Sequence, residues 1–243
     1  MTESVREFQI EVRSSPQTND HEVRLLADGE DLIQHFCSDM MGLDPSDLLV
    51  EPCPLLVETD NHTAMIGRCY CGVVGCGSVE VKIHRDHDQV VWQSLHSDAK
   101  VQFRASQYQA EIERALRDFS WETPERMAAR LIANAVDTKA LEHNGFLFDW
   151  ASGRCKEGFM TVSLTLNPGP YQILVKLPWD GKAVDDIVAR FKLQLARSPR
   201  ILARRRMFST CSESRATTDP GLGMAALTAD GNTAVTSVYV TTL

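Results

Sequence analysis

The stretch TAMIGRCYCGVVGCGSVEVKIHRDHDQVVWQSL, residues 63–95, decides the fold. TAMIGRCY, SVEVKIH and QVVWQSL are rich in β-branched and aromatic residues, and the middle segment alternates apolar with polar. That period of two marks half-buried strands. HRDHD (84–88) has turn composition and CGVVGCG (71–77) joins the first two strands. The stretch therefore predicts a three-stranded antiparallel meander with a Gly- and Cys-rich connection at one end.

Outward from the meander the pattern repeats. FQIEVRS (8–14) alternates as a strand, and VRLLADG (23–29) is a second strand closing at Asp28-Gly29. Residues 30–41 carry apolar side chains at helical spacing. Asp44-Pro45 and Thr123-Pro124 each combine a capping side chain with proline at the first helical position. EPCPLLVE (51–58) is expected at a sheet edge, because proline cannot donate to a ladder. Helical stripes follow: Tyr108, Ile112, Leu116 and Phe119, then Met127, Leu131, Ile132, Ala135 and Val136. LEHNGFLFDWAS (141–152) places an aromatic strand after a turn at Asn144-Gly145. FMTVSLTL (159–166) and YQILVKL (171–177) are further strands, and a helix after Asp180-Gly181 is expected to break at Pro199. Residues 209–233 have the composition of a loose tail, and TAVTSVYVTTL is β-prone.

Each apolar stripe needs a sheet face to cover it. The class is α+β: antiparallel sheets covered by amphipathic helices, in two sheet-and-helix halves. The boundaries fall at 1–137, 138–208 and a tail at 209–243.

At 243 residues, 43% apolar and 24% charged, the chain has the composition of an ordinary globular protein. Its start is acidic and polar, unlike a secretory signal, and no apolar run reaches transmembrane length. Seven cysteines, unevenly spaced, suit a reducing compartment better than a disulfide framework. A cytoplasmic location is expected.

Charge is unevenly spread. Residues 1–60 hold fourteen acids against three bases, while Ile187 to Cys211 holds seven bases and no acid. These runs suit solvated or mutually neutralising faces. The acidic segment would also suit a protein partner. Nucleic acid is disfavoured by the net charge of −8 and by the scarcity of aromatics among the arginines.

The motif with chemistry in it is Cys69-x-Cys71-Gly72-x-x-Gly75-Cys76-Gly77. Thiolates are soft ligands that favour tetrahedral zinc. The glycines permit the backbone to curl between closely spaced cysteines. Structural zinc would want a fourth ligand. Cys53 is the first choice, with His62, His84 and His87 as alternatives. The same residues also suit a tight bulged turn with free thiols. His84, Asp86, His87 and Asp88 read first as a polar turn. Trp92, Trp121, Trp150 and Trp179 read as core anchors. Asp185-Asp186 suit a helix start, and Asp149 is a lone candidate carboxylate. No nucleotide loop, zincin helix or serine elbow occurs, which leans the reading away from an enzyme.

Cys71-Gly72-Val73-Val74-Gly75-Cys76, Val90-Val91-Trp92, Tyr108, Trp121 to Arg126 and Trp150-Ala151-Ser152 together resemble a family of uncharacterised bacterial proteins with a C-x-C-G-x-x-G-C hairpin. The likeness spans roughly residues 5–205. It implies a cytoplasmic protein whose halves act as one unit, and it supplies no catalytic residues, since the family has no established activity. The expectation is a non-catalytic binding or adaptor protein, of which immunity- or defence-associated proteins are one class. The alternative is a metal-assisted hydrolase or nuclease using the Cys/His cluster.

Overall fold

The structure is a computed structural model that describes residues 4–14, 21–57, 61–71, 76–169, 171–209 and 237–242, with side chains only as far as residue 196 in the last helix and none in the last strand. The proposed tail (209–233), Gly72 and Gly75 fall wholly or almost wholly outside those residues. The chain divides into two compact units, Met1–Trp121 and Glu122–Leu243.

The first unit runs β1 (Val5–Arg6), β2 (Phe8–Ser14), β3 (His21–Ala27), β4 (Glu30–Asp31), α1 (Leu32–Phe36), β5 (Met40–Gly42), α2 (Pro45–Leu48), β6 (His62–Cys69), β7 (Ser78–Asp86), β8 (Gln89–Ser94), β9 (Lys100–Arg104) and α3 (Ala105–Arg117). The expected meander is the centre of a six-stranded sheet of order β1-β9-β8-β7-β6-β5. All its pairs are antiparallel except β1 with β9. In β7 the alternation works as read: Val79, Val81 and Ile83 are buried and Lys82 is exposed. A second sheet, β2-β3-β4, turns at Asp28-Gly29, both with positive φ. That geometry matches the right-handed twist of a two-residue hairpin.

One core joins both sheets to α1 and α3. At its centre Phe8, Trp92, Phe103 and Tyr108 meet edge-on, tilted or, for Phe103 with Tyr108, stacked, with centroids 4.7–6.1 Å apart. Such contacts add to the burial of large apolar area. The Tyr108 hydroxyl donates to the Leu55 carbonyl at 2.6 Å and accepts from the Trp92 indole at 3.2 Å, so neither polar tip is stranded. Gly42 sits where β5 crosses β3. A Cβ there would collide with the Val23 carbonyl oxygen, and its N–H donates to the buried Glu22 carboxylate at 3.0 Å.

The second unit runs α4 (Pro124–Ala135), α5 (Thr138–His143), β10 (Phe146–Ser152), β11 (Phe159–Leu166), β12 (Tyr171–Pro178), α6 (Val184–Ser209) and β13 (Ser237–Thr242). Its strands form an antiparallel sheet in chain order. Met160, Val162 and Leu164 of β11 and Ile173, Val175 and Leu177 of β12 face Ala128, Ile132, Ile187 and Phe191. The fold is thus α+β, with antiparallel sheets covered by helices.

The structure corrects several expectations. The division falls after Trp121, not near residue 137, because α4 lays its stripe on β10 and α6. The 30–41 helix is only five residues long, since the chain turns back at Met40 to pair with β6. Residues 51–57 form no strand. Cys53 and Leu55 are instead buried in the core. Phe119 is exposed, beyond the end of α3. The helix α6 runs through Pro199. In keeping with its β-prone composition, Ser237–Thr242 of the C-terminal segment is the paired strand β13.

Candidate metal centre

Cys69 is the last residue of β6. Its backbone is held on both sides: it lies opposite Met40 of β5, and its N–H donates to the Gly77 carbonyl at 3.1 Å. A bulge between Met65 and Gly67 shifts the β6–β7 register, so the side that carried Met65 opposite Glu80 now carries Gly67 opposite buried Val79. Bulges commonly re-aim a side chain in this way. The shift turns Cys69 toward the covered face, and it is half-buried, whereas Cys71 and Cys76 are exposed.

Gly77 permits a close approach. A Cβ there would sit 3.0 Å from the Met40 Cε and 3.8 Å from the Cys69 Cβ. The returning strand can therefore hug β5 and β6, bringing Cys76 beside Cys69. The Cys71 N–H lies 3.4 Å from the Cys69 Sγ and donates to it, a contact that stabilises negative charge on sulfur.

The three Sγ atoms all lie within 4.8 Å of one another. Tetrahedral zinc with Zn–S near 2.3 Å separates its sulfurs by about 3.8 Å, so small rotations about χ1 suffice to close this triangle on an ion. The crowding also has an electrostatic signature. Hydrogen bonding to, and repulsion from, Cys71 and then Cys69 push the Cys76 thiol up to about 11. A bound cation would reverse that preference.

Cys53 does not join them. It is buried among core residues, its thiol donates to the Leu48 carbonyl at 3.4 Å, and burial first of all raises its pKa. A core thiol of this kind behaves as a small hydrophobe. His62 is hydrogen-bonded to the Pro54 carbonyl at 2.8 Å. His87, at the far turn, bonds the Asp86 carboxylate at 2.7 Å, which raises its pKa. His84 lies on β7 opposite Val91 with its Nδ1 buried and unpartnered. Cys37 donates toward the Ser38 carbonyl at 3.6 Å.

Of the other candidates, Trp92 and Trp179 are core anchors while Trp150 is 37% exposed. Asp149 accepts from the hydroxyls of Ser163 and Thr165. Asp185 and Asp186 open α6. Several acids among the described residues of the acidic segment are engaged locally. Arg6 bridges Asp28 and Glu30, Arg24 bridges Glu22 and Asp31, and Asp31 and Asp44 cap α1 and α2.

Sequence reasoning missed a groove of about 330 Å³ between α3 and residues 51–57. Tyr108, Leu56 and Leu116 form its floor, with Arg85 and Arg117 at its rim. Three distant segments build it, so no local pattern announces it. No described helix is long and apolar enough to cross a membrane. The chain matches no family model, no curated protein and no solved structure.

Proposed function

We propose that this protein binds a zinc-class ion through Cys69, Cys71 and Cys76, and that it serves as a non-catalytic binding or adaptor protein. The observation that carries the reading is the meeting of the three thiols, from a strand end and a connection whose other side chains bring no ligand. The ion would fasten the mouth of the β6–β7 connection, replacing thiolate repulsion with coordination. Glu7, Asp39 and Glu51 remain exposed in the acidic segment, available to a basic partner protein.

The competing reading, metal-assisted hydrolysis or nuclease action, draws on the exposure of Cys71 and Cys76. The donor set argues against it. Three thiolates on a divalent ion leave a net negative centre, a poor Lewis acid for lowering the pKa of bound water.

Elemental analysis of protein purified without chelator tests the proposal. About one zinc per chain is expected, falling to background in Cys71→Ser and Cys76→Ser. Background metal in the unaltered protein, even after zinc is supplied, would sink it. Phosphodiester cleavage by the zinc-loaded protein that vanishes in Cys71→Ser would reverse the ranking of the two readings.

A further inference from the structure

We infer that the ion at this hairpin keeps one coordination position for a thiolate from outside the chain. The inference rests on the metal-site reading above and adds what completes the site. Three observations carry it.

First, the cluster among the described residues has three donors, while tetrahedral soft ions take four. Second, the thiols and imidazoles nearest in sequence do not join the cluster. His84 lies along β7 opposite Val91, outside the group of ligand atoms, and the others are bonded elsewhere. Cys53 is held in the core, Cys37 reaches toward Ser38, and His62 is bonded to Pro54. The residues between Cys71 and Cys76 are Gly, Val, Val and Gly, with no ligating side chain. Third, the described residues cover only one side of the triangle. Cys69 is half-buried and anchored in the ladder, whereas Cys71 and Cys76 are exposed, so among the described residues the fourth vertex is open to approach.

A thiolate suits that vertex better than water. The ions that three thiolates select are soft, and they prefer a fourth sulfur to oxygen. Binding is a ligand exchange: the incoming thiol gives its proton to solvent, its sulfur bonds the ion, and the water it displaces leaves. No electron changes hands. The source is either a small thiol or the cysteine of a second copy of this chain, and both present the same chemistry to the ion.

Cobalt(II) is a suitable probe, because its visible bands and its sulfur-to-metal charge transfer report how many thiolates surround it. The full chain is loaded with one equivalent of cobalt at low protein concentration, and reduced glutathione is titrated in. The expected result is a saturable shift of the visible bands to longer wavelength. Charge-transfer intensity should rise by about a third as three sulfurs become four. If the same change appears on concentrating the protein without added thiol, a second copy supplies the sulfur.

A cobalt complex that already shows four sulfurs in dilute protein, and ignores glutathione, would overturn the inference while leaving the metal site standing. A chain that binds no cobalt at all would overturn the metal reading itself. Zinc competition for the cobalt, followed by loss of colour, serves as the check that both ions share the site.

Discussion

The turns β6–β7 and β10–β11 both contain cysteine and glycine, and among the described residues only the first gathers its sulfurs. In the first unit, residues 70–77 link β6 to β7 and three thiols converge. In the second, Gly153 to Gly158 link β10 to β11, and Cys155 stands exposed between Arg154 and Lys156. Gly158 takes a positive φ with nothing near its missing side chain, so it serves the turn alone. Gly77 has Met40 and Cys69 packed against it and serves close approach. The same residue types thus do different work according to what the sheet brings next to them. The contrast extends to the cores. Each unit sinks a glutamate beside an arginine, Glu22 with Arg24 and Glu122 with Arg130. The first glutamate also accepts the Gly42 N–H, while the second takes both its arginine bonds from one guanidinium, at 2.7 and 2.8 Å.

The largest expected effects probe those buried pairs. Arg130→Met strands a carboxylate that is 3% exposed and should cost about 3 kcal/mol in urea unfolding. Arg24→Met should cost less, about 2 kcal/mol, because the Gly42 N–H still supports Glu22. Equal costs would erase the contrast between the units. Glycines test it next. Gly42→Ala should destabilise by about 2 kcal/mol through its collision with the Val23 carbonyl, and Gly158→Ala by only about 1 kcal/mol through its left-handed backbone. Thermal melts of the two variants give the ranking directly.

The connections themselves are compared by metal affinity. Cys71→Ser should weaken zinc binding by about two orders of magnitude or more, whereas Cys155→Ser should leave it unchanged. Competition with a chromogenic chelator reads both, and an equal loss in the two variants would break the comparison.

Ionisation gives the finest test. Burial, above all, drives the Tyr108 hydroxyl well above the ordinary tyrosine value. A raised acid contributes stability below its unfolded pKa and loses it as pH climbs toward the folded one. Absorbance at 295 nm should therefore show Tyr108 silent until alkaline unfolding, and Tyr108→Phe should abolish that late step. At the acid end, the Glu7 N–H and then Arg6 hold Asp28 below its usual range. That support is present above the unfolded carboxylate value and fades as pH falls through the folded one. Asp28→Asn should flatten the acid limb of stability only slightly, since the carboxylate is 53% exposed.

Much of this was legible locally. The alternation in β7, the caps Asp44-Pro45 and Thr123-Pro124, and the turn at Asp28-Gly29 all act over a few residues, and the structure keeps them. The short helix α5 was missed because its six residues carry little apolar period. Strand β9 was missed because its five residues run directly into α3. Cys53 misled for a plain reason. Cysteine serves as ligand or as core filler, and sequence spacing does not distinguish them.

The residues themselves determined that this chain builds antiparallel sheets under amphipathic helices and that its sulfurs concentrate near one hairpin, because hydrophobic period and turn chemistry are short-range properties. Tertiary structure alone decided which thiols meet. The bulge at Met65–Gly67 turns Cys69 toward the covered face, and the close passage of Gly77 past Met40 brings Cys76 alongside it. Both depend on strand register, which is set by pairing and packing between strands rather than by any one segment.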